Sequence, residues 1–459
     1  MNPELTLLYV HGQSIGYGRY GIELHRALAR QGVGVYDHQG GPDDALSHHL
    51  RDGANEKLTN VVCWVSVPTH ARGWFAGQHA AISTMWEASL LPESFRDTLH
   101  EFDTVIVPSP HNVELFSAYH DNVKLVLLGV DPEQWHYVQR RPPTHEFRFL
   151  IGGSGERKGI DLAYRAFRAV FRTWPKDGPI PRLILKAPRG DQGQYYGDRV
   201  EVIGGRISAD AEIALYETAH CYLQPSRGEG FGLQPLQAIA QGCPTILTGA
   251  HGHESFAHLG YPISAEKTQS AYFIYGEAGD WWEPSFEELC ERMHHVYTHY
   301  DEATAFAKDS AAEVSTHWTW ANTATQFQTA FGDELTKPYT GSGAWKAPEA
   351  KLYEVILTKD WQTHVAGRLF HFKKGETYHE VADVKRILFS AGLLDPACIE
   401  SYRINEDDFF DSGLTVGQMG DFVNYSASHS HCYACGQRLN ATPSRADEIF
   451  AELEAKAAQ

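Results

Sequence analysis

Long apolar runs are scarce in this chain. The longest early one, "LTLLYV" at Leu5 to Val10, falls far short of the ~20 residues a bilayer span needs, and no basic segment precedes it as a secretory leader would require. These two absences lead us to expect a chain with no membrane span that works in the cytoplasm. Cysteine is sparse as well: seven residues, an odd number scattered over 459 positions, argue against a disulfide framework and for reduced core thiols. The third deficit is positive charge. Lys and Arg number 39 against 58 Asp and Glu, a net charge of -19, which disfavours coating nucleic acid by bulk electrostatics but leaves room for a local basic groove.

Glycine is plentiful, at 41 residues, and with 22 prolines it implies many turns. Apolar residues at 42% and charged residues at 21% give the balance of a globular protein, and the length exceeds the ~250 to 300 residues at which single cores stop growing. A multidomain protein follows. "LTLLYV" predicts a buried strand, the loop "HGQSIGYGRYG" comes after it, and "IELHRALARQG" has helical spacing with a stop at Gly32. "VVCWVSV", "TVIVPS" and "VKLVLLG" predict further strands between helix-like segments. After Pro142 and Pro143 the unit restarts: "FRFLIGGSGERKG" is a strand with a Gly-rich loop, and "IDLAYRAFRAVFRTW" is an amphipathic helix. "RLILK", "VEVIGG", "CYLQPS" and "TILTG" continue the alternation. Strands alternating with helices predict parallel sheets covered on both faces, with ligands at the carboxyl ends of the strands.

One loop stands out. "SRGEGFGLQPLQAIAQG", Ser226 to Gly242, sets Glu229 among Gly228, Gly230 and Gly232 before a predicted helix, which fits either a binding wall or an ordinary strand-to-helix turn with a solvated acid. With "EGFGL" at Glu229 to Leu233, the flanking "QGCPTILTG", and the ordered segments "GYGRYGIELHRALARQG", "TMWEASLLPESF", "VPSPHNVELF" and "LLGVDPEQW", the chain resembles the GT-B retaining glycosyltransferases usually called family 4. The resemblance runs from about Leu5 to Phe331, and "HWTWANTATQFQTAF" is similar to that family's closing helix. It implies an α/β GT-B fold with two Rossmann-like domains facing across a cleft, residues 1–142 and 143–335, ahead of a small accessory domain at 342–459.

What the resemblance implies chemically is transfer of a sugar, with retention, from a nucleoside-diphosphate sugar to an acceptor hydroxyl, with no metal or cofactor in catalysis. Negative charge builds on the leaving phosphate while the sugar turns oxocarbenium-like. Lys158 in "ERKG" matches the family's phosphate lysine, beside the plainer reading of a solvated surface lysine. Glu229 would hold the donor sugar; these two are the expected catalytic residues. Gly230, Phe231, Gly232 and Leu233 would line the donor site, with Gly16 and Gly18 closing over the diphosphate from the other side. Two departures are visible. The second acid of the family's pair falls on Gln237, a weaker ribose acceptor, and the family's arginine falls at Gly152 or Gly153, so that Arg157, Lys186 or Arg206 must replace it, Lys186 being favoured. They keep open a catalytically inactive nucleotide-sugar- or glycan-binding protein. Glu87 in "TMWE" would touch the acceptor, or be a buried structural acid; the acceptor is a glycan, a metabolite or a hydroxymethylated base of phage DNA.

Beyond Gly332 the resemblance stops. "TKPYTGSGAWKAPEAK" is linker-like, "GRLFHFKKGETYHEV" alternates like strands, and "ADVKRILFSAGLL" has helical spacing. In "HSHCYACGQRLN", Cys432 and Cys435 form a C-x-x-C that His429 or His431 would complete as a structural zinc site, with Cys398 the nearest other ligand; a free dithiol or plain packing is the alternative. The acidic run "NEDDFFD" is read as a solvated face.

Overall fold

The computed structural model describes residues 2–9, 16–36, 58–71, 73–153, 155–174, 177–187, 195, 197–205, 207–273, 276–343, 345–346, 353–356, 361–365, 368–372 and 377–380. Met1–Gly41 with Leu46–Pro348 forms one compact unit, and Pro42–Ala45 with Glu349–Gln459 a second. The first unit opens with β1 (Glu4–Tyr9), α1 (Gly16–Arg30), β2 (Gly34–Tyr36), β3 (Val61–Val65), β4 (Trp74–Phe75), β5 (His79–Ser83), α2 (Glu93–Leu99), β6 (Thr104–Val107), α3 (Pro110–Ser117) and β7 (Val123–Leu125). It continues with β8 (Glu146–Gly152), α4 (Ile160–Val170), β9 (Ile180–Ala187), β10 (Val200–Gly204), α5 (Ala209–Thr218), β11 (Cys221–Gln224), α6 (Leu233–Ala240), β12 (Thr245–Thr248) and β13 (Tyr261–Ile263). A hairpin, β14 (Ala265–Phe273) and β15 (Gly276–Pro284), precedes α7 (Phe286–Thr298), α8 (Tyr300–His317) and α9 (Trp320–Phe331).

Two six-stranded sheets result, ordered β2-β1-β3-β5-β6-β7 and β10-β9-β8-β11-β12-β13, and every adjacent pair in them is parallel. This is the α/β GT-B architecture that the alternating pattern and the resemblance led us to expect. Burial explains the continuous apolar runs: all five residues of β3, Val-Val-Cys-Trp-Val, are buried because strands flank it on both edges and helices cover both faces. In each sheet the strand order reverses beside the first strand, next to β1 and next to β8, so the loops leaving β8 and β11 converge at a topological switch point.

The last helix returns to the first sheet. Val130 bridges Thr319, with Val130 N donating to Trp318 O at 2.8 Å and Trp320 N to Val130 O at 3.2 Å. The Trp320 ring then stacks on Tyr20 of α1 at 5.9 Å. One local expectation is corrected. Gly16 and Gly18 belong to the first turn of α1 and not to a loop, because the helix starts at Gly16, where free N–H groups need no partner inside the helix. The β14–β15 hairpin was not foreseen at all. In the second unit, β16 (Trp345–Lys346) excepted as part of the first, the described strands are β17 (Tyr353–Ile356), β18 (Trp361–Val365), β19 (Arg368–Phe372) and β20 (Thr377–Glu380), paired antiparallel as β17 with β20 and β18 with β19. The predicted helix at 382–394, the acidic run and the Cys/His cluster lie outside the described residues. No helix among the described residues is long and apolar enough to cross a membrane.

The return crossing yields a stability prediction. A Cβ on Gly129 would lie 2.2 Å from the Thr319 carbonyl carbon, backbone against backbone, whereas one on Gly16 meets nothing within 4 Å. Gly129→Ala should destabilise the protein by roughly 1–3 kcal/mol in thermal unfolding, and Gly16→Ala should not lower the melting temperature.

Candidate active site

Two loops build the site. The first leaves β8 at Gly152, passes the short turn Glu156–Lys158 and enters α4; the second leaves β11, carries Ser226 to Gly232 and enters α6. They are joined by backbone, since Arg227 N donates to Arg157 O at 2.7 Å. The second loop is pressed against the first sheet. A Cβ on Gly228 would sit 1.9 Å from Glu87 O, and one on Gly230 2.5 Å from the Met85 side chain. These two glycines are therefore required by protein packed against the loop, a reason not visible in the sequence, which suggested a tight turn or a ligand's approach. Ser109 caps α3 and also donates to Gly230 O at 2.9 Å, joined by Asn112 Nδ2 at 3.1 Å.

At the centre lies Glu229, 6% exposed. Its Oε1 accepts from Lys158 Nζ at 2.6 Å, from Ser226 Oγ at 2.8 Å and from Gln224 Nε2 at 3.3 Å, and its Oε2 accepts from Arg157 Nη1 at 3.4 Å. Burial alone would raise its pKa; the Lys158 charge, then that of Arg157, outweighs burial and holds the carboxyl well below the usual carboxylate range. Glu229 is thus an anion in a dry setting. Arg157 also donates to Gly228 O at 2.6 Å and lies 3.9 Å from Glu87 Oε1. Glu87 is pushed up by burial, only partly countered by Arg157. Lys158 is pushed down by burial, against the pull of Glu229. The expected catalytic residues Glu229 and Lys158 are brought together, bonded to one another, with Arg157 and Glu87 alongside.

A second ion cluster spans the sheets. Glu212 of α5 accepts from Lys186 Nζ at 2.9 Å, at the end of β9, and from Arg19 Nη2 at 2.7 Å, on α1. Burial raises the Glu212 pKa, yet these two cations leave it lowered. Lys186 is next to the first loop as well, because its carbonyl accepts from Gly153 N at 3.0 Å. Where the family's arginine is missing, a Cβ on Gly152 would point at Gln234 Nε2, 3.1 Å away, and Tyr222 Oη, 3.7 Å away. Gln237 is buried and its Oε1 has no hydrogen-bond partner. Phe231, expected to line the donor site, is buried at 1% exposure against Phe256 and Trp318, where it anchors the loop in the core. Leu233 opens α6. Arg206 and the cluster of His429, His431, Cys432 and Cys435 lie outside the described residues; among the described residues no group of three His, Cys, Asp or Glu could hold a metal. Sequence reasoning missed Arg19, Asn112 and Arg227, which lie inside the quoted segments but were given no role there, and Glu212, which lies in none of them.

The central pair should be measurable without a substrate. Glu229→Gln and Lys158→Met are each expected to cost about 1–3 kcal/mol of stability, and the double variant less than the sum, in denaturant unfolding. Because the folded-state pKa of Glu229 is depressed, its contribution is present above the ordinary value near ~4.3 and is lost as pH falls through the folded value, so the deficit of Glu229→Gln should shrink below about pH 4.

Comparison with known proteins agrees with this geometry. Residues 112–327 match the model of the family described as family 4 glycosyltransferases in conflict systems. Among curated relatives, a Photobacterium profundum protein provisionally named an agmatine deiminase is 21% identical over 185 residues, 38% of this chain and 46% of that one. A Mycobacterium tuberculosis glycogen synthase is 28% identical over 148 residues, 30% of this chain and 34% of that one, so the chain spans less than half the length of these relatives. Among solved structures, the sucrose-phosphate synthase of Thermosynechococcus elongatus superposes with a TM-score of 0.56 at 17% identity, over 73% of this chain and all of the other. The catalytic domain of starch synthase IV from Arabidopsis thaliana, bound to ADP and acarbose, gives 0.52 at 12% identity over 73% of this chain and all of the other. With two parallel six-stranded sheets, an intact "EGFGL" loop and a family match that includes that loop, the chain has a GT-B fold and is similar to family 4 glycosyltransferases over residues 112–327.

Proposed function

We propose that the protein is a retaining glycosyltransferase that moves a sugar from a nucleoside-diphosphate sugar to an acceptor hydroxyl, with no metal ion in the chemistry. The observation that carries this reading is the pairing of half-buried Lys158 with buried Glu229, 2.6 Å apart, where the loops leaving β8 and β11 meet. In transfer, the bond from the anomeric carbon to the leaving phosphate oxygen breaks, the acceptor oxygen bonds to that carbon on the same face, and the acceptor proton passes to the leaving phosphate. Lys158 would turn from Glu229 to the phosphate, supplying a cation where negative charge develops. Glu229, held ionised, would accept sugar hydroxyls and steady the positive charge near the anomeric carbon. Lys186 and Arg19 are further cations for the diphosphate, and the unpartnered Gln237 Oε1 suits a ribose hydroxyl as donor. Glu87, between the first sheet and Arg157, is the acceptor-side acid.

The four cysteines described, Cys63, Cys221, Cys243 and Cys290, are all free, which supports a reducing, cytoplasmic setting. Burial pushes all four of these thiols up. For the acceptor we carry forward a hydroxymethylated base of phage DNA as the first to try, ahead of a glycan or metabolite. The Cys432–Cys435 pair with His429 or His431 remains our candidate zinc site, which metal analysis of the full chain decides.

A thermal-shift screen of nucleotide sugars followed by donor hydrolysis tests the reading. Turnover of the best donor should fall at least tenfold, more than ~1.4 kcal/mol of transition-state stabilisation, in Glu229→Ala and in Lys158→Ala. Proton NMR of the product should show the donor's anomeric configuration retained. Binding without turnover in the wild type would make the chain a nucleotide-sugar-binding protein, and neither binding nor turnover would overturn the reading.

A further inference from the structure

Arg227 lies two residues before Glu229, yet its side chain takes no part in the Lys158–Glu229–Glu87 network. It is 4% exposed, and all five of its guanidinium N–H groups are spoken for. Nε donates to Glu283 Oε2 at 2.5 Å; Nη1 donates to Glu156 O at 2.6 Å and to Asp161 Oδ1 at 2.9 Å; Nη2 donates to Asp161 Oδ2 at 2.9 Å and to Glu283 Oε1 at 3.1 Å. Its main chain adds two more bonds, N to Arg157 O at 2.7 Å and O from Trp282 N at 2.8 Å. A planar, permanently charged fork that engages two carboxylates at once, each through both oxygens, fixes orientation as well as distance. One residue thereby ties together the Glu156–Lys158 turn, the first turn of α4, the strand β15 and the loop of Glu229.

The strand it grips has a second anchor. Leu90 N donates to Ala278 O at 2.9 Å, Ser89 N to Asp280 O at 3.0 Å, and Asp280 N to Ser89 Oγ at 2.7 Å, so residues 278–280 of β15 are bonded to the loop that follows β5 of the first sheet. That loop also contains Glu87, whose carbonyl presses on Gly228. Residues 278–283 therefore run from the acceptor-side sheet to Arg227 within a single strand, and both ends are hydrogen-bonded. Lys158 lies one residue from Arg157 and two from Glu156, both bonded to Arg227, and Glu229 lies two residues from Arg227 itself.

We propose that Arg227 is a positioning residue for the Lys158–Glu229 pair and that Glu283 makes the β14–β15 hairpin a strap through which the first sheet sets that pair's geometry. The inference rests on the glycosyltransferase reading for its kinetic consequence and on the contacts alone for its structural one. Arg227 touches no reacting atom; it acts by fixing where the two loops stand, and hence whether Lys158 meets Glu229 or swings free of it.

Glu283→Gln in the full chain tests this, because it keeps the side chain's shape and leaves the Asp161 pair to support folding. Two readouts are taken. The first is labelling of lysines by an acetylating reagent, mapped by mass spectrometry, with the exposed Lys308 as internal reference. Lys158 should label at least about threefold faster in Glu283→Gln than in the wild type, and faster still in Arg227→Lys, which cannot restore a planar fork. The second is hydrolysis of UDP-glucose and ADP-glucose. Glu283→Gln should lower kcat at least about fivefold with KM within about twofold, and in a Lys158→Ala background it should change kcat by less than about twofold. Unchanged Lys158 labelling with an intact melting temperature overturns the proposal whether or not the protein turns over either donor. Equal losses of kcat in both backgrounds overturn it as well. A wild type that hydrolyses neither donor counts against the glycosyltransferase reading, while the labelling still decides the role of Arg227.

Discussion

The structure turns on keeping one carboxylate ionised where little water reaches it. A buried Glu229 would favour its neutral form, and what prevents this is the close approach of Lys158 and Arg157 on the neighbouring loop, backed by Ser226 and Gln224. Those two cations come from a turn between β8 and α4, and the acid from a turn between β11 and α6. Such turns are adjacent only because β11 lies beside β8 in the sheet although two strands separate them in sequence. The sheet order thus creates the electrostatic site, and the rest of the unit holds the two turns at hydrogen-bonding distance.

That holding is shared between the sheets. From the first sheet come Ser109 and Asn112, which bond the Gly230 carbonyl, and Met85 and Glu87, which press on Gly230 and Gly228. From the second come Arg227 and Phe231, one anchoring the loop by five directed hydrogen bonds and the other by burial in the core. The Arg19–Glu212–Lys186 cluster and the return of α9 onto α1 tie the sheets together elsewhere. A loop contacted from both sides reports the state of both. Under the proposed function, changes on the side of the first sheet reach Glu229 through packed backbone, without a long relay of side chains.

Much of this was legible beforehand where the code is local. The strands at Leu5, Val61, Thr104, Phe147, Arg182, Cys221 and Thr245 stood out as short apolar runs between glycines and helix-like spacing, and Glu229 and Lys158 stood out by motif. The hairpin at 265–284 did not, although its aromatic residues around glycines, "YFIYGEAGDWW", resemble a hairpin signal once one looks for it. Arg157 and Lys186 were legible as cations but not as partners: each is matched to an acid in the fold, and the acids, Glu87, Glu229 and Glu212, come from three different segments. The short β7 shows the same limit, since "VKLVLLG" keeps its apolar character beyond Leu125 while only Val123–Leu125 finds a strand partner.

By itself the sequence determined that the chain makes two successive strand–loop–helix units, and that a glycine-flanked acid and a basic turn stand at strand ends, because periodicity, turn chemistry and helix starts are written in consecutive residues. Only the tertiary structure decided which charges meet. Lys158 and Glu229 are 71 residues apart, Arg157 O and Arg227 N are brought together across 70 positions, and Arg19 and Glu212 across 193. An ion pair's worth depends on its distance and on the water excluded around it, and neither exists until the sheets have assembled and packed.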